Sequence, residues 1–208
     1  MGRVLFMRKG ETHTAPAKGL PSGFTKLVYI QSSGGTQYID TGYYQQSENF
    51  RVKTEFAYVG STSGKCAFGA QSGNGFLMTL YGQKEIIVGT NGSVNKQHTR
   101  PVNTRFLFDV TANNGTLSGT QYGQTVSSTY TGTLLKTVPL TIFRNNGGAT
   151  SQICSLRLYY FQMYDNDVLV RDFVPCINAS GEIGLFDMVN RQFYGNAGTG
   201  TFTGSEVA

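Results

Sequence analysis

The sequence predicts an all-β protein made of two antiparallel sheets packed face to face. Three observations carry that expectation. Of the 208 residues, 27 are glycine, a residue that costs about 1 kcal/mol inside a helix and so argues against a helical bundle. Charged residues make up 14% and aromatic residues 12%, which suits half-buried pleated surfaces better than solvated helices. Short apolar or alternating runs are separated throughout by clusters of Gly, Asn, Ser and Asp, at the spacing expected for the turns of a sandwich.

Residues 1–19 form a segment of their own. Val4, Leu5, Phe6 and Met7 make a short apolar strip that Arg8 and Lys9 follow at once, and a polar, Ala/Pro-containing linker leads on from there. The strip is too short to fold alone and suits strand addition to a partner or to sister copies. It is also too short for the apolar region of a signal peptide. Positive charge is concentrated at this end. Up to Lys26 there are five bases (Arg3, Arg8, Lys9, Lys18, Lys26) against Glu11, whereas the rest of the chain is nearly balanced and the whole carries +5. The basicity therefore belongs to the arm. Charges this sparse do not build a nucleic-acid surface, and no run approaches the ~20 apolar residues of a membrane helix.

The domain is expected over 20–208. Strands are predicted at Leu27–Ile30 and Thr36–Thr41, then at Phe50–Val59, where Val52, Thr54, Phe56 and Tyr58 alternate with Arg51, Lys53, Glu55 and Ala57. Cys66–Ala70, Gly75–Tyr81 and Ile86–Thr90 follow, with Asn91-Gly92 as a hairpin turn. Arg105–Thr111 reads as a central strand, Thr116–Tyr122 as its neighbour, 123–136 as a loop or weak edge strand, and Leu140–Arg144 as a second central strand. From Leu156 onward the chain is a meander. In Leu156–Tyr164, strict alternation puts Arg157, Tyr159, Phe161 and Met163 on one face. Asp165-Asn166-Asp167 turns the chain into Val168–Val174, which Pro175 should end because it cannot donate to a ladder. Strands near Gly184–Met188 and Gln192–Tyr194 close the set, about twelve to fourteen in all.

Two runs carry a resemblance. LYYFQMYDNDVLVRDFVPC with GEIGLFDMVNRQFYGNAGTGTF is similar to the closing strands of concanavalin A-like, laminin G-like jelly-roll domains, and LPSGFTKLVYIQSSGGTQYIDTGY resembles their opening strands. Similar domains occur in bacteriophage and prophage virion proteins of gut bacteria, where the leader VLFMRKGETHTAP also has counterparts. The resemblance implies a jelly-roll sandwich with an N-terminal extension, made in the bacterial host cytoplasm and carried on the virion. Its implied partners are a phage capsid or tail protein, sister copies in a symmetric oligomer such as a trimer, and surface glycans.

Candidate chemistry is thin. A glucanase of this superfamily needs two glutamates and an aspartate alternating on one strand. No Glu-x-Asp-x-Glu occurs here, and Asp165, Asp167 and Asp172 are split between a turn and a strand. With only His13 and His98 and no Gly-x-Ser-x-Gly elbow, a catalytic triad has no basis. A zinc site lacks ligands. Laminin G-like domains often hold calcium at the sandwich rim, and Asp165, Asn166, Asp167 and Asp187 could donate oxygens to it; turn chemistry explains the same residues without an ion. The odd cysteine count (Cys66, Cys154, Cys176) reads as buried free thiols from a reducing compartment. For sugar binding, Tyr43, Tyr44, Tyr81, Arg144, Asn145 and Asn146 supply aromatic faces and amide or guanidinium partners, although tryptophan is absent. The sequence thus points to a non-enzymatic virion protein: a capsid decoration, head-fibre or tail adhesin module. Val4–Lys9 would anchor it, and its jelly roll would bind host or mucosal glycans. A glycoside hydrolase of the same fold and a purely structural capsid protein are the alternatives.

Overall fold

Seventeen strands and no helix occur among the residues that the computed structural model describes, which are 19–60, 65–70, 77–81, 84–89, 92–97, 102–121, 123–134, 136–146 and 154–206. Ten strands form a large sheet. These are β1 (Thr25–Gln31), β3 (Asn49–Tyr58), β8 (Phe106–Asn113), β9 (Thr116–Gln121), β10 (Gln124–Thr129), β13 (Leu156–Asp165), β14 (Val168–Ile177), β15 (Ile183–Asp187), β16 (Gln192–Tyr194) and β17 (Thr203–Glu206). The order across it is β10-β9-β8-β3-β13-β1-β14-β15-β16, with β17 on β1. The other seven form a second sheet: β2 (Ile39–Asp40), β4 (Lys65–Ala70), β5 (Leu77–Tyr81), β6 (Lys84–Gly89), β7 (Gly92–Gln97), β11 (Thr141–Ile142) and β12 (Asn145–Asn146). All pairings are antiparallel except β12 on β4. Two large, mainly antiparallel sheets and no helix are compatible with a β-sandwich.

The core lies between the sheets. Phe68 of β4 meets Phe108 and Phe161 of the large sheet edge-on, at centroid distances of 5.3 and 5.1 Å. Phe50, Val52, Phe56, Val110, Met163 and Phe173 are buried around them. The alternation of β3 predicts its buried residues Val52, Thr54, Phe56 and Tyr58, but Ala57, expected on the solvated face, is buried as well. Where β8 and β9 pair, Gly119 has φ 147°, and a Cβ there would drive into the Asp109 carbonyl, so only glycine fits.

Several expectations change. The alternation of β13 is broken, because the register shifts between Leu158 and Tyr160 against β3. Leu156 and Leu158 are buried, and so are Phe161 and Met163, whereas Tyr159 and Tyr160 both face outward. The bulge therefore reassigns Phe161 and Met163 to the core face. Thr54 supports it from the neighbouring strand by donating its hydroxyl to the Tyr160 carbonyl at 2.6 Å. Pro175 does not end β14, which runs on to Ile177 with Pro175 paired to Leu185. Asp172 takes the Met188 N–H on the β15 side, so by alternation the Pro175 nitrogen faces the other way. There β14 has left β13 (last partner Phe173) and has not yet met β1 (first partner Cys176), so no donor is needed.

The expected central strand Leu140–Arg144 is cut at Phe143, whose φ of 72° turns the chain between β11 and β12. Of Thr36–Thr41 only Ile39–Asp40 pairs. Within 123–136, Gln124–Thr129 is a regular edge strand along β9. The strands β7 and β17 were not anticipated.

Candidate functional site

The outward face of the large sheet carries an ordered array of tyrosines and arginines. Strand alternation brings Arg51 and Glu55 of β3, Asp109 of β8, and Arg157, Gln162 and Tyr164 of β13 to this side, and the bulge adds Tyr159 and Tyr160. Three rings on this face have a guanidinium partner. Arg105 lies 4.2 Å from the Tyr159 centroid, Arg51 is 5.0 Å from Tyr164, and Arg157 is 5.0 Å from Tyr29, which meets Tyr159 edge-on at 5.8 Å. The cations are fixed in turn. Arg51 grips Asp109 with two bonds of 2.6 and 2.7 Å, Arg105 pairs with Glu55, and Arg157 donates to the Gln31 side chain at 2.8 Å. Gln162 donates to Asp172 at 3.0 Å and accepts from the Tyr164 hydroxyl at 3.2 Å. Partial burial, helped by the Glu55 and Asp109 charges, pushes the Tyr160 phenol up to about 12. The result is a preorganised surface with aromatic faces between hydrogen-bonding groups.

A groove of about 360 Å³ opens in this face. Its walls are Lys26 and Val28 of β1, Tyr159 and Tyr160 of β13, Val174 of β14, and Arg105 just before β8. Three irregularities meet there. The register of β1 against β17 shifts between Leu27 and Tyr29, β13 bulges at Tyr159, and β14 carries Pro175. The strands splay apart around them, and bulges re-aim side chains in this way beside binding sites.

The residues picked out from sequence do not gather at one place. Tyr43 is packed on Phe50 and gives its hydroxyl to Asp165 at 2.9 Å, and Tyr44 beside it is exposed. Arg144 lies over the Tyr38 ring at 4.1 Å, Asn146 is tied to the Pro139 carbonyl, and Asn145 is fully buried. The side chain of Tyr81 lies outside the described residues, as does the arm residue set Val4–Lys9. The arm's last residue, Gly19, is described, and its carbonyl accepts from Arg191 at 3.2 Å, beside the β15–β16 turn.

Of the oxygens considered for calcium, one each of Asp165, Asp167 and Asp187 already accepts protein hydrogen bonds. Asp165 accepts from Tyr43 and from the Gln46 N–H, and Asp167 accepts from Asn49. Asn166 and Asp167, at φ 50° and 64°, form the tight turn between β13 and β14. Asp187 is fully buried; one of its oxygens takes the Asp172 and Val189 N–H groups, and the other faces Arg171 at 3.5 Å. Among the described residues, no group of three or more His, Cys, Asp and Glu is placed to hold a metal ion. Arg171 also lies 5.0 Å from the Tyr43 ring and donates to the Thr41 carbonyl, so this network ties residues 41–46 to the β13–β14 hairpin. Burial, the Asp165 hydrogen bond and the Asp165 charge all raise the Tyr43 pKa.

A second cleft, about 430 Å³, lies between the 181–183 and 196–202 segments. Its polar side chains serve the loops themselves. Asn196 accepts from the Tyr38 and Gly198 N–H groups and donates to the Gly200 carbonyl. A small outer cluster lies on β15 and β16, where Phe24 packs on Phe186 and Phe193.

All three cysteines are buried free thiols. Burial pushes Cys176 up to about 12, and Cys66 is raised by burial too. Cys176 and Tyr160 both stay neutral in the fold beyond the pH at which the unfolded chain ionises. The stability they add is therefore complete below pH 9 and is lost as pH climbs toward 12. The expected result is no reaction of Cys176 with a thiol reagent at pH 8 until denaturant is added, and a melting temperature that falls increasingly steeply above pH 9. Stoichiometric labelling of the folded protein at pH 8 would contradict the assignment.

The decisive signals for the outer face were present but easily misread. In β13 the apolar phase runs Leu156, Leu158, then Phe161, Met163, a one-residue jump that marks the bulge. Comparison with protein-family models and with curated proteins finds no match to this chain.

Proposed function

We propose that the chain is a non-enzymatic bacteriophage virion protein whose jelly-roll domain binds glycans through the outer face of its large sheet. The observation that carries this reading is the Tyr29–Tyr159–Tyr160–Tyr164 array with its fixed Arg, Gln and carboxylate neighbours. Sugars present a flat C–H face and a ring of hydroxyls, so they need such rings flanked by oriented donors and acceptors. The two runs that resemble jelly-roll strands support the fold. They come from opposite ends of the domain yet lie side by side, with Ile30 opposite Leu158 and Thr25 opposite Ile177.

Binding is favoured over hydrolysis by how the carboxylates are used. Asp109 faces Arg51, Glu55 faces Arg105, Asp165 faces Tyr43 and Asp187 faces Arg171, whereas glycosidases need two carboxyl groups confronting each other across a cleft. In this reading Val4–Lys9 attach the protein to a capsid or tail protein or to sister copies. Many copies then raise the weak affinity of a shallow face.

The test is a glycan array probed with the full chain in multivalent display. Wild type should bind a subset of glycans, and the double variant Tyr159→Ala/Tyr160→Ala should lose at least about tenfold, in line with loss of two aromatic anchors. Wild-type binding to nothing on the array would sink the glycan reading. Release of reducing ends from any bound glycan would favour the hydrolase instead.

A further inference from the structure

We infer that the groove between β1, β13 and β14 selects a sugar residue bearing a carboxylate. This deepens the glycan reading and depends on it. The groove, about 360 Å³, is at the small end of ligand-pocket sizes, the scale of one sugar residue rather than a chain. Its charges are uneven. Arg105 is committed to Glu55 and stacked on Tyr159, a locally neutral pair. Lys26 stands exposed on the opposite lip, and among the described residues its ammonium makes no ion pair or hydrogen bond. The groove therefore offers one uncompensated positive charge.

Its remaining walls are Val28, 39% exposed, with Val174 and the ring of Tyr160. A ligand that fills this space must lay a C–H face on the tyrosines and bring a single negative charge to Lys26. It must also leave hydroxyls for the Glu55–Arg105 pair. A neutral sugar satisfies the first and last demands but leaves the attraction of the exposed Lys26 ammonium for an anion unused. A phosphate dianion would need a second free cation, and Arg105 is already taken by Glu55. A monoanionic sugar carboxylate, as in a sialic or hexuronic acid, meets all three.

The experiment immobilises matched oligosaccharides ending in N-acetylneuraminic acid or glucuronic acid, their methyl esters, and the same chains lacking the terminal sugar. The full-length protein in multivalent display is passed over each. At least one acid form should bind about tenfold tighter than its ester, an effect of one charge–charge hydrogen bond, and the preference should shrink with added salt. Lys26→Gln should erase that preference, so that acid and ester bind alike. Three results overturn the inference. Acid and ester bound equally, in a manner that still needs Tyr159 and Tyr160, would refute carboxylate selection and leave the glycan face standing. An acid preference that survives Lys26→Gln would place the recognition elsewhere. Binding to none of the panel or the wider array would remove both readings together.

Discussion

Asp187→Ala is expected to cost about 3–5 kcal/mol of stability, the range for removing one partner of a buried ion pair. The aspartate has no exposed surface, and the Arg171 side chain opposite is only 12% exposed. Alanine would strand that guanidinium and also leave the Asp172 and Val189 N–H groups without their acceptor. Those two donors hold the middle of β14 to the turn after β15, so damage should be concentrated where β14 meets β15. Asp187→Asn separates the contributions. It can keep an acceptor for the two N–H groups but not the charge opposite Arg171, so it should fall between wild type and alanine. Urea unfolding followed by circular dichroism is the measurement. A loss below 1 kcal/mol for alanine would mean that Arg171 finds solvent without Asp187.

Phe161→Ala should be similarly costly, about 3–5 kcal/mol, from lost apolar transfer plus the cavity left behind. Phe161 is fully buried and touches Phe68 of the facing sheet. Its loss would empty the contact between layers without altering any hydrogen-bond ladder. Tyr164→Ala on the outer face of the same strand is a useful contrast, since it removes an aromatic ring that is only partly buried. If the two variants unfold at the same urea concentration, β13 does not present Phe161 inward, and the bulge assigned at Tyr159 is wrong.

Much of the fold was legible because period-2 patterning is a local property. In β3 the buried set Val52, Thr54, Phe56 and Tyr58 follows from the alternation alone. The hairpin at Asn166-Asp167 follows from turn chemistry. What could not be read locally depends on neighbours far off in sequence. Pro175 ends a strand if both flanks need donors. It is tolerated because β1, some 150 residues earlier in the chain, meets β14 only beyond it. Phe143 carries nothing in its side chain that foretells a left-handed backbone; the chain accepts that conformation where the Phe143 N–H reaches Ala67 and its carbonyl receives Cys154. The candidate site was missed for the same reason. Tyr29, Arg105 and Tyr159 belong to three separate segments, and only the sheet order joins them. The loop residues Tyr43, Arg144 and Asn145 looked polar and available, whereas folding engages or buries them.

The proline in β14 also restricts how this sheet can assemble wrongly. Sliding β14 by one residue against β15 would rotate the strand half a turn. Phe173 would then face solvent, and the imino nitrogen of Pro175 would point at the β15 backbone, where a donor is required. Every odd-numbered misalignment therefore forfeits both an aromatic anchor and a ladder bond at one position. A ten-stranded sheet has many near-equivalent ways to zip together. Pro175 thus makes every odd-register alignment of β14 on β15 costlier than the native one.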